Sequence, residues 1–319
     1  MKSLSLHRQF QGSAAELLPC MEDPAVTDLL VNGAESVFVE RDGLLERVAS
    51  PFADRAALMD FIERLLVPLG RRVDAARPYL DGRLCDGSRF HIILPPLAAH
   101  GPLLSIRKSR GGTAAPLKSF GDARTLQWLT ELFRQGGNVL IAGGTGTGKT
   151  TLLSRLLDTV DTHDRLVVVE ETSEIRLEHP HAVFLEARAA TPDGLGEVTL
   201  RTLIRNALRM RPTRLVLGEC RGDEAWELLQ AMNTGHAGSA STIHANSPLD
   251  ALRRLETLVL TAGVPAPLPA VREWVASAIQ AVIFLERKGG QRKIAGALRL
   301  QGIEGDRYRI HPLPKTECS

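Results

Sequence analysis

Cysteine is scarce in this sequence of 319 residues, with four scattered positions and no CxxC pair. Disulfide-stabilised domains and zinc ribbons need closely spaced cysteines, so neither class is favoured. No uninterrupted apolar run approaches the roughly 20 residues that span a bilayer. Residues 1–10 also contain no apolar segment of the kind that secretory signals carry. We therefore expect a protein of a reducing, cytoplasmic compartment.

Aromatic residues are rare at 4%, and 39 basic against 37 acidic residues leave a net charge of +2. Proteins that track along nucleic acid usually combine a basic surface with aromatic side chains that stack on bases. A nucleic-acid translocase is therefore the least favoured function, and we expect no direct contact with nucleic acid. Lysine is rare too, with 7 residues against 32 arginines. Arginine suits bidentate contact with carboxylates and phosphates, although a high-GC codon bias would produce the same excess.

The length favours two domains, and the pattern of helix and strand signals divides the chain. Residues 1–22 are interpreted as an N-terminal tail and residues 23–110 as a small α+β domain. Residues 111–120 are rich in glycine and small side chains and are interpreted as a linker. From 121 to 319 strand and helix signals alternate, which predicts an α/β domain with a mostly parallel sheet.

A phosphate-binding motif follows the first strand predicted in this second domain. Residues 143–150 read GGTGTGKT and fit G-x-x-x-x-G-K-[ST], between the apolar run 138–142 and a predicted helix. Glycines let backbone N–H groups surround phosphate oxygens, and the helix directs its positive end at them. The lysine neutralises the β- and γ-phosphates, and the hydroxyl of Thr150 can bind Mg²⁺. The predicted nucleotide site comprises Gly143, Gly144, Thr145, Gly146, Thr147, Gly148, Lys149, Thr150 and Thr151.

Acidic residues end two of the predicted strands. Glu219 follows the run 215–218 in the manner of a Walker B carboxylate, and Glu170 follows the run 166–169. Because ligands bind beyond the carboxyl ends of parallel strands, both acids are expected near the phosphates. One would hold Mg²⁺ through water while the other polarises the attacking water. A helix cap or an ion pair at each strand end is the alternative.

His244 ends another apolar strand, where its ring can contact the γ-phosphate or simply cap the strand. Arginines are also concentrated near the Glu219 strand. Three of them recur every fourth residue along one predicted helix and so share a face. They either make ion pairs within the chain or bridge subunits. These arginines are Arg201, Arg205 and Arg209 on the helix, followed by Arg211, Arg214 and Arg221.

Several motifs together resemble those of the type II/IV secretion traffic ATPases, and within them the Tad/Cpa branch of tight-adherence pili. The second domain carries GECRGDE at 218–224, QAMNTGH at 230–236 and STIHAN at 241–246, with NALRMRP at 206–212. The first carries DLLVNG at 28–33, DGRLCDGSR at 81–89 and SIRK at 105–108. The resemblance extends from about residue 23 to 313.

This resemblance implies a RecA-like P-loop domain that hydrolyses ATP with Mg²⁺. It also implies a homo-hexamer at the cytoplasmic face of the inner membrane, working on a membrane platform protein of a pilus or secretion system. By the family pattern Glu170 is the base that activates water, Glu219 is the Mg²⁺-binding Walker B acid, and His244 is the His-box residue. Arg83 and Arg107 match arginines that reach the nucleotide phosphates.

The acidic box departs from the family pattern, because it reads Glu170-Glu171 where Glu-Asp is usual. The longer side chain of Glu171 is expected to displace a metal-bound water. A nucleotide-gated scaffold with weak or absent hydrolysis is therefore one alternative. A type IV secretion ATPase acting on protein or DNA is another.

Overall fold

The chain forms two compact units, Met1–Ala114 and Ala115–Ser319. The computed structural model describes residues 6–41, 43–109, 115–188, 190 and 195–312. Part of the predicted N-terminal tail (1–5), part of the predicted linker (111–114) and the residues from 313 to 319 lie outside this range. Each unit has its own sheet and its own apolar core.

The first unit is an α+β unit built on an antiparallel sheet. Its helices are α1 (Leu6–Gln9), α2 (Leu18–Glu22) and α3 (Arg55–Leu66), with 3₁₀ turns at Gly12–Leu17 and Val67–Leu69. Its strands are β1 (Val26–Asn32), β2 (Val37–Arg41), β3 (Leu44–Val48), β4 (Tyr79–Arg83), β5 (Arg89–Ile93) and β6 (Leu103–Arg107). Among the described residues these strands form a six-stranded sheet in the order β3-β2-β1-β6-β5-β4, with every adjacent pair antiparallel.

Helix α3 shows how the sequence pattern produces the first core. Asp54 caps it by accepting a hydrogen bond from the N–H of Ala57 at 2.9 Å. Its apolar residues recur every three or four positions, so they share one face and are buried against the sheet. Those buried residues are Leu58, Phe61, Ile62, Leu65 and Leu66.

The structure differs from the predicted tail over residues 6–22. This segment folds as α1, a 3₁₀ turn and α2, and it buries Phe10, Ala14, Leu17 and Met21 in the core of the first unit. Its pieces are only four to six residues long. Such short segments carry no helical periodicity that a sequence pattern can reveal.

The second unit has the α/β fold. Its helices are α4 (Ala123–Arg134), α5 (Lys149–Leu157), α6 (Leu200–Ala207), α7 (Glu224–Asn233), α8 (Pro248–Thr261) and α9 (Leu268–Ala278), with 3₁₀ turns at Leu117–Ser119 and Leu208–Met210. Its strands are β7 (Val139–Gly143), β8 (Leu166–Glu170), β9 (Ala182–Glu186), β10 (Arg214–Cys220), β11 (Ala240–Ile243), β12 (Ala281–Lys288), β13 (Gln291–Glu304) and β14 (Arg307–Pro312).

Within the described ranges the second sheet has eight strands in the order β14-β13-β12-β7-β11-β10-β8-β9. The pairs from β12 to β9 are parallel, and β13 and β14 add antiparallel pairs at one edge. Strand residues alternate between two cores: Leu140 and Ala142 face one, Val139 and Ile141 the other. Helices α6 to α9 cover the first face, and α4 and α5 cover the second. This layering brings the carboxyl ends of β7, β11, β10 and β8 to one edge of the sheet.

Two further elements differ from the sequence interpretation. Residues 115–120, assigned to the linker, belong to the second unit, where Phe120 is fully buried in the core. Helix α9 has no counterpart among the helices expected from the sequence, where residues 263–269 contain a glycine and three prolines. Pro267 is the N-cap residue of α9, and Pro269 lies in its first turn, where a missing N–H costs nothing.

No helix within the described residues is both long and apolar enough to cross a membrane. Cys20, Cys85 and Cys220 are free thiols, and Cys318 lies outside the described residues. Burial raises the pKa of the Cys220 thiol well above its ordinary value, since the thiolate would have to sit in an apolar environment.

Candidate functional site

The predicted phosphate loop connects β7 to α5 and has the backbone that such a loop needs. Gly143, Gly146 and Gly148 have φ values of 153°, 72° and 95°, which residues with a Cβ rarely adopt. Space is restricted as well: a Cβ on Gly143 would lie 2.6 Å from the carbonyl oxygen of Leu285. Thr147 stabilises the turn by donating from its hydroxyl to the carbonyl of Gly144 at 2.9 Å. Residues 144–146 remain exposed, so this part of the loop is accessible to a ligand.

Lys149 is buried at the first position of α5, with 7% of its surface exposed. Its Nζ donates to the carbonyl oxygens of Gly143 and Gly144 at 3.0 and 2.9 Å. Burial lowers the pKa of Lys149, while the carboxylates of Glu219 and Glu174 oppose that shift. A cation held in this way inside the loop is placed to neutralise phosphate charge.

Glu219 and His244 lie beside this lysine. The Oε1 atom of Glu219 is 3.9 Å from Nζ of Lys149 and 3.1 Å from Nε2 of His244. Nε2 of His244 is also 3.5 Å from the lysine Nζ. Burial, with help from the positive charge of Lys149, lowers the pKa of His244 below 6.5, although Glu219 opposes the shift. The tautomer that carries its proton on Nε2 can donate to Glu219.

Glu170 ends β8 and is 4% exposed. Its Oε1 accepts hydrogen bonds from the N–H groups of Glu174 and Ile175 at 2.9 and 3.1 Å. Gly218, on the neighbouring strand β10, has no side chain, and the side chain of Glu170 occupies that space. A Cβ at position 218 would lie 2.8 Å from Cγ of Glu170.

The pairing of β10 with β11 also shifts by one residue between Leu217 and Cys220, and this bulge redirects the side chain of Glu219.

Glu171, the residue that departs from the family pattern, has a partner within the chain. It forms an ion pair with Arg221, which follows Glu219 along the chain after Cys220. Both side chains are about half exposed, at 51% for Glu171 and 53% for Arg221. The expectation that Glu171 displaces a metal-bound water gains no support from this arrangement, because its carboxylate is engaged by a guanidinium.

The arginines around β10 make ion pairs within the chain. Arg201 and Arg205 both donate to Oε1 of the buried Glu227, at 2.8 Å from Nε of Arg201 and 2.7 Å from Nη2 of Arg205. Arg214 is buried and binds Asp164 at 2.8 Å. The intrachain interpretation of this stripe is therefore confirmed for Arg201 and Arg205. Arg209 and Arg211 are exposed.

Arg83 and Arg107 belong to the first unit. The strand register places them in one row across its sheet: Arg83 pairs with Arg89, Arg89 with Arg107, and Arg107 with Asp28. Directly paired residues project on the same side of a sheet. Nε of Arg107 donates to Oδ1 of Asp28 at 3.0 Å. Arg89 is the member of this row that the sequence interpretation did not single out.

The fold and the loop geometry agree with a comparison of the sequence with protein families. Residues 11–291 match the family described as "Type II/IV secretion system protein". The chain belongs to the type II/IV secretion system protein family. The predicted superfamily is thus confirmed, while the Tad/Cpa branch stays a prediction.

Relatives of this family member come from several bacteria. A Mycobacterium tuberculosis protein named "Putative conjugal transfer protein" is 39% identical over 303 residues, which cover 92% of this chain and 86% of the relative. The crystal structure of the VirB11 ATPase from the Brucella suis type IV secretion system is 27% identical, with a TM-score of 0.51 over 90% of this chain and 93% of that one. The Legionella pneumophila ATPase DotB, at 23% identity, shares the fold with a TM-score of 0.63 over 89% and 79% of the two chains.

Residues that sequence reasoning missed also lie at the site of this family member. The hydroxyl of Thr150, the predicted Mg²⁺ ligand, donates to Oε2 of Glu174 at 3.3 Å. Glu174 carried no recognisable signal, because it lies in an irregular segment after β8. Thr151 is half-buried in α5 next to Thr150, and its predicted contact with nucleotide stays a prediction.

The residues at the loop fit a bound Mg²⁺ in their chemistry. Mg²⁺ prefers oxygen ligands, and the Thr150 hydroxyl and the Glu219 carboxylate supply them at this edge of the sheet. Among the described residues there is no group of three or more His, Cys, Asp or Glu placed to hold a metal alone. A magnesium ion here would therefore take its remaining ligands from phosphate and water, as it usually does in nucleotide sites.

Proposed function

We propose that this chain is an ATP-hydrolysing motor of a type II/IV secretion or Tad-like pilus-assembly machine. The observation that carries the proposal is the meeting of Lys149 at the start of α5, Glu219 on β10 and His244 directly after β11. Phosphoryl transfer needs a cation on the phosphates, a carboxylate for the metal and a group that responds to the γ-phosphate. The strand order supports a RecA-like domain, since β11 lies between the phosphate-loop strand β7 and the acid-bearing strand β10.

Each residue of the site has a proposed role. Residues 143–151 would surround the phosphates with backbone N–H groups, and Lys149 would neutralise their charge. Thr150 and Glu219 would hold Mg²⁺, the latter partly through water; when bound, this ion neutralises charge that develops on the phosphates. Glu170 would accept a proton from the attacking water, and the two backbone N–H groups that donate to its Oε1 would hold the side chain in place. His244 would donate a hydrogen bond from its ring to the γ-phosphate.

Arg83 and Arg107 are proposed to stabilise negative charge on the phosphates in the transition state. Their positions in one row across the first sheet, with Arg89 between them, support a shared anionic target. We further propose a homo-hexamer at the cytoplasmic face of the inner membrane that drives a membrane platform protein. Membership of the secretion family supports these assignments.

A second candidate is a type IV secretion ATPase that acts on protein or DNA. The 39% identity to a protein named for conjugal transfer favours it. Both candidates share the same hydrolytic site and differ in what the machine transports. A scaffold that binds nucleotide without hydrolysis is less favoured, because the ion pair with Arg221 gives Glu171 a role that leaves the metal site undisturbed.

Steady-state phosphate release from Mg²⁺-ATP tests the proposal. The purified chain is expected to turn over, and Lys149→Ala is expected to lower kcat/KM at least about 100-fold, since a buried cation at the phosphates is removed. Lys288→Ala, which removes an exposed lysine on β12, is the matched control and should leave turnover unchanged. Absence of turnover, or equal turnover in Lys149→Ala, would refute the proposed function.

A further inference from the structure

The backbone ladder between β8 and β10 stops before the two acids of the site. The last registered pair joins Leu217 to Val169. Glu170 follows Val169 on one strand, and Gly218 and Glu219 follow Leu217 on the other. The bulge between Leu217 and Cys220 also loosens the pairing of β10 with β11. The spacing of Glu170 and Glu219 is therefore not fixed by ladder hydrogen bonds between their own strands.

The ion pair of Glu171 and Arg221 spans the gap that the ladder leaves open. Glu171 follows Glu170 directly, and Arg221 lies two residues after Glu219, so the pair joins the two strand ends just beyond the acids. An exposed ion pair between free side chains usually contributes little to the free energy of folding, because two long side chains must be ordered. An ion pair contributes more when the backbone on both sides is already held in place.

Arg221 is held by its own backbone. The N–H groups of Arg221 and Gly222 both donate to Oε1 of Glu224, at 2.7 and 2.9 Å, and Glu224 is only 4% exposed. Gly222 permits this contact, since a Cβ there would lie 2.9 Å from Oε2 of Glu224. The arginine therefore projects from an anchored turn at the start of α7.

Glu171 is held through its neighbour. Glu170 is buried, and its Oε1 accepts hydrogen bonds from the backbone N–H groups of Glu174 and Ile175. The position of Glu171 on the surface of this anchored strand end is thereby restricted. Both partners of the ion pair extend from fixed backbone, so little conformational entropy is lost when they meet.

We propose that Glu171 and Arg221 form a clamp that positions Glu170 and Glu219 for hydrolysis. The clamp holds the carboxyl ends of β8 and β10 at one separation, and the inference rests on the proposed ATPase function. Both are positioning residues that act through the acids beside them. The clamp also gives a role to the glutamate at position 171, because an aspartate is one methylene shorter and would extend less far toward Arg221.

Charge-exchange kinetics test this clamp. Four variants are compared in phosphate release and thermal unfolding: Glu171→Gln, Glu171→Asp, Arg221→Gln and the double exchange Glu171→Arg with Arg221→Glu. Each single variant is expected to lower kcat about three- to tenfold with KM within about twofold, since an anchored pair contributes on the order of 1 kcal/mol. The double exchange is expected to recover at least half of the loss. Glu46→Gln, which breaks an exposed ion pair with Arg41 in the first unit, is the control and should keep full kcat.

Several results would overturn the clamp. If Glu171→Asp keeps full activity while the exchange fails, Glu171 acts through its charge on the metal or water instead. Unfolding temperatures that fall while kcat stays unchanged would assign the pair to stability alone. Wild-type protein and Lys149→Ala are measured in the same series, so the two proposals can be separated. If hydrolysis depends on Lys149 but the variants at Glu171 and Arg221 keep the wild-type kcat, only the clamp is refuted. If the wild type shows no hydrolysis that depends on Lys149, the proposed function is refuted and the clamp with it.

Discussion

The side-chain hydroxyl of Thr242, on β11, donates a hydrogen bond to the backbone carbonyl of Gly218, on β10, at 2.8 Å. Thr242 is 1% exposed, so this bond lies inside the sheet. It falls within the bulge where the pairing of β10 with β11 shifts by one residue. Because the carbonyl precedes Glu219 directly, the bond helps to set the direction in which that acid leaves the strand.

Gly218→Ala is expected to displace Glu170. The added Cβ would lie 2.8 Å from Cγ and 3.3 Å from Oε1 of that buried carboxylate, so one of the two residues must move. A shift of the base by a few tenths of an ångström or more is expected to lower kcat about 10- to 100-fold. Phosphate-release kinetics check this, with Gly121→Ala as the control. A Cβ at Gly121 meets nothing nearer than 3.6 Å, and that variant should keep its activity.

Thr242→Val keeps the shape of the side chain but removes the donor to Gly218. The buried carbonyl then loses this partner, which is expected to lower the free energy of unfolding by about 1–3 kcal/mol. We also expect a lower kcat, since the bulge that carries Glu219 is no longer restrained. Denaturant unfolding and kinetics measure the two effects. Thr257→Val, on the exposed side of α8, should change neither; equal stability of Thr242→Val and wild type would contradict the expectation.

The pKa of His244 is expected below 6.5, and its neighbours should move it in opposite directions. Burial is the main cause, Lys149 lowers the pKa further, and Glu219 raises it. Glu219→Gln should therefore lower this pKa, whereas Lys149→Met should raise it, as followed by NMR titration of the ring. Since the unfolded chain takes up this proton first, the histidine's contribution to stability falls as the pH drops below about 6.5. A wild-type value above 6.5 would contradict this environment.

Glu227→Ala is expected to destabilise the second unit. Oε1 of Glu227 accepts from Arg201 at 2.8 Å and from Arg205 at 2.7 Å, so its loss leaves two guanidinium groups without this partner. Removing a buried partner can lower the free energy of unfolding by about 3–5 kcal/mol, but the arginines are partly solvated, and we expect about 2 kcal/mol. Denaturant unfolding measures the change. Arg209→Ala, at an exposed position on the same face of the helix, should lower the free energy of unfolding by less than about 0.5 kcal/mol.

The sequence predicted the elements that carry strong local signals. The apolar spacing over residues 55–69 predicts a helix, and the apolar run 166–169 predicts a strand. Helix α3 and strand β8 form there. Strand β3 was missed because four of its five residues are exposed, so no alternation marks it. Helix α9 was missed because its prolines occupy the helix start, a distinction that spacing alone does not make.

The candidate site was predictable only where a motif encodes it. The phosphate loop, Glu219 and His244 follow apolar strands, and the parallel sheet brings them together. The contacts of Gly218 with Glu170 and of Arg221 with Glu171 depend on which strands are neighbours. That order, β11-β10-β8, is a property of the tertiary fold and leaves no trace in local sequence.

The most direct test of the central claim compares ATP binding and hydrolysis in the wild type and Glu170→Gln. The substitution keeps an oxygen that can accept the N–H groups of Glu174 and Ile175, but it removes the base. The proposed function predicts unchanged ATP affinity with kcat lowered at least about 100-fold. Equal kcat in the two proteins, or no hydrolysis by the wild type, would contradict it.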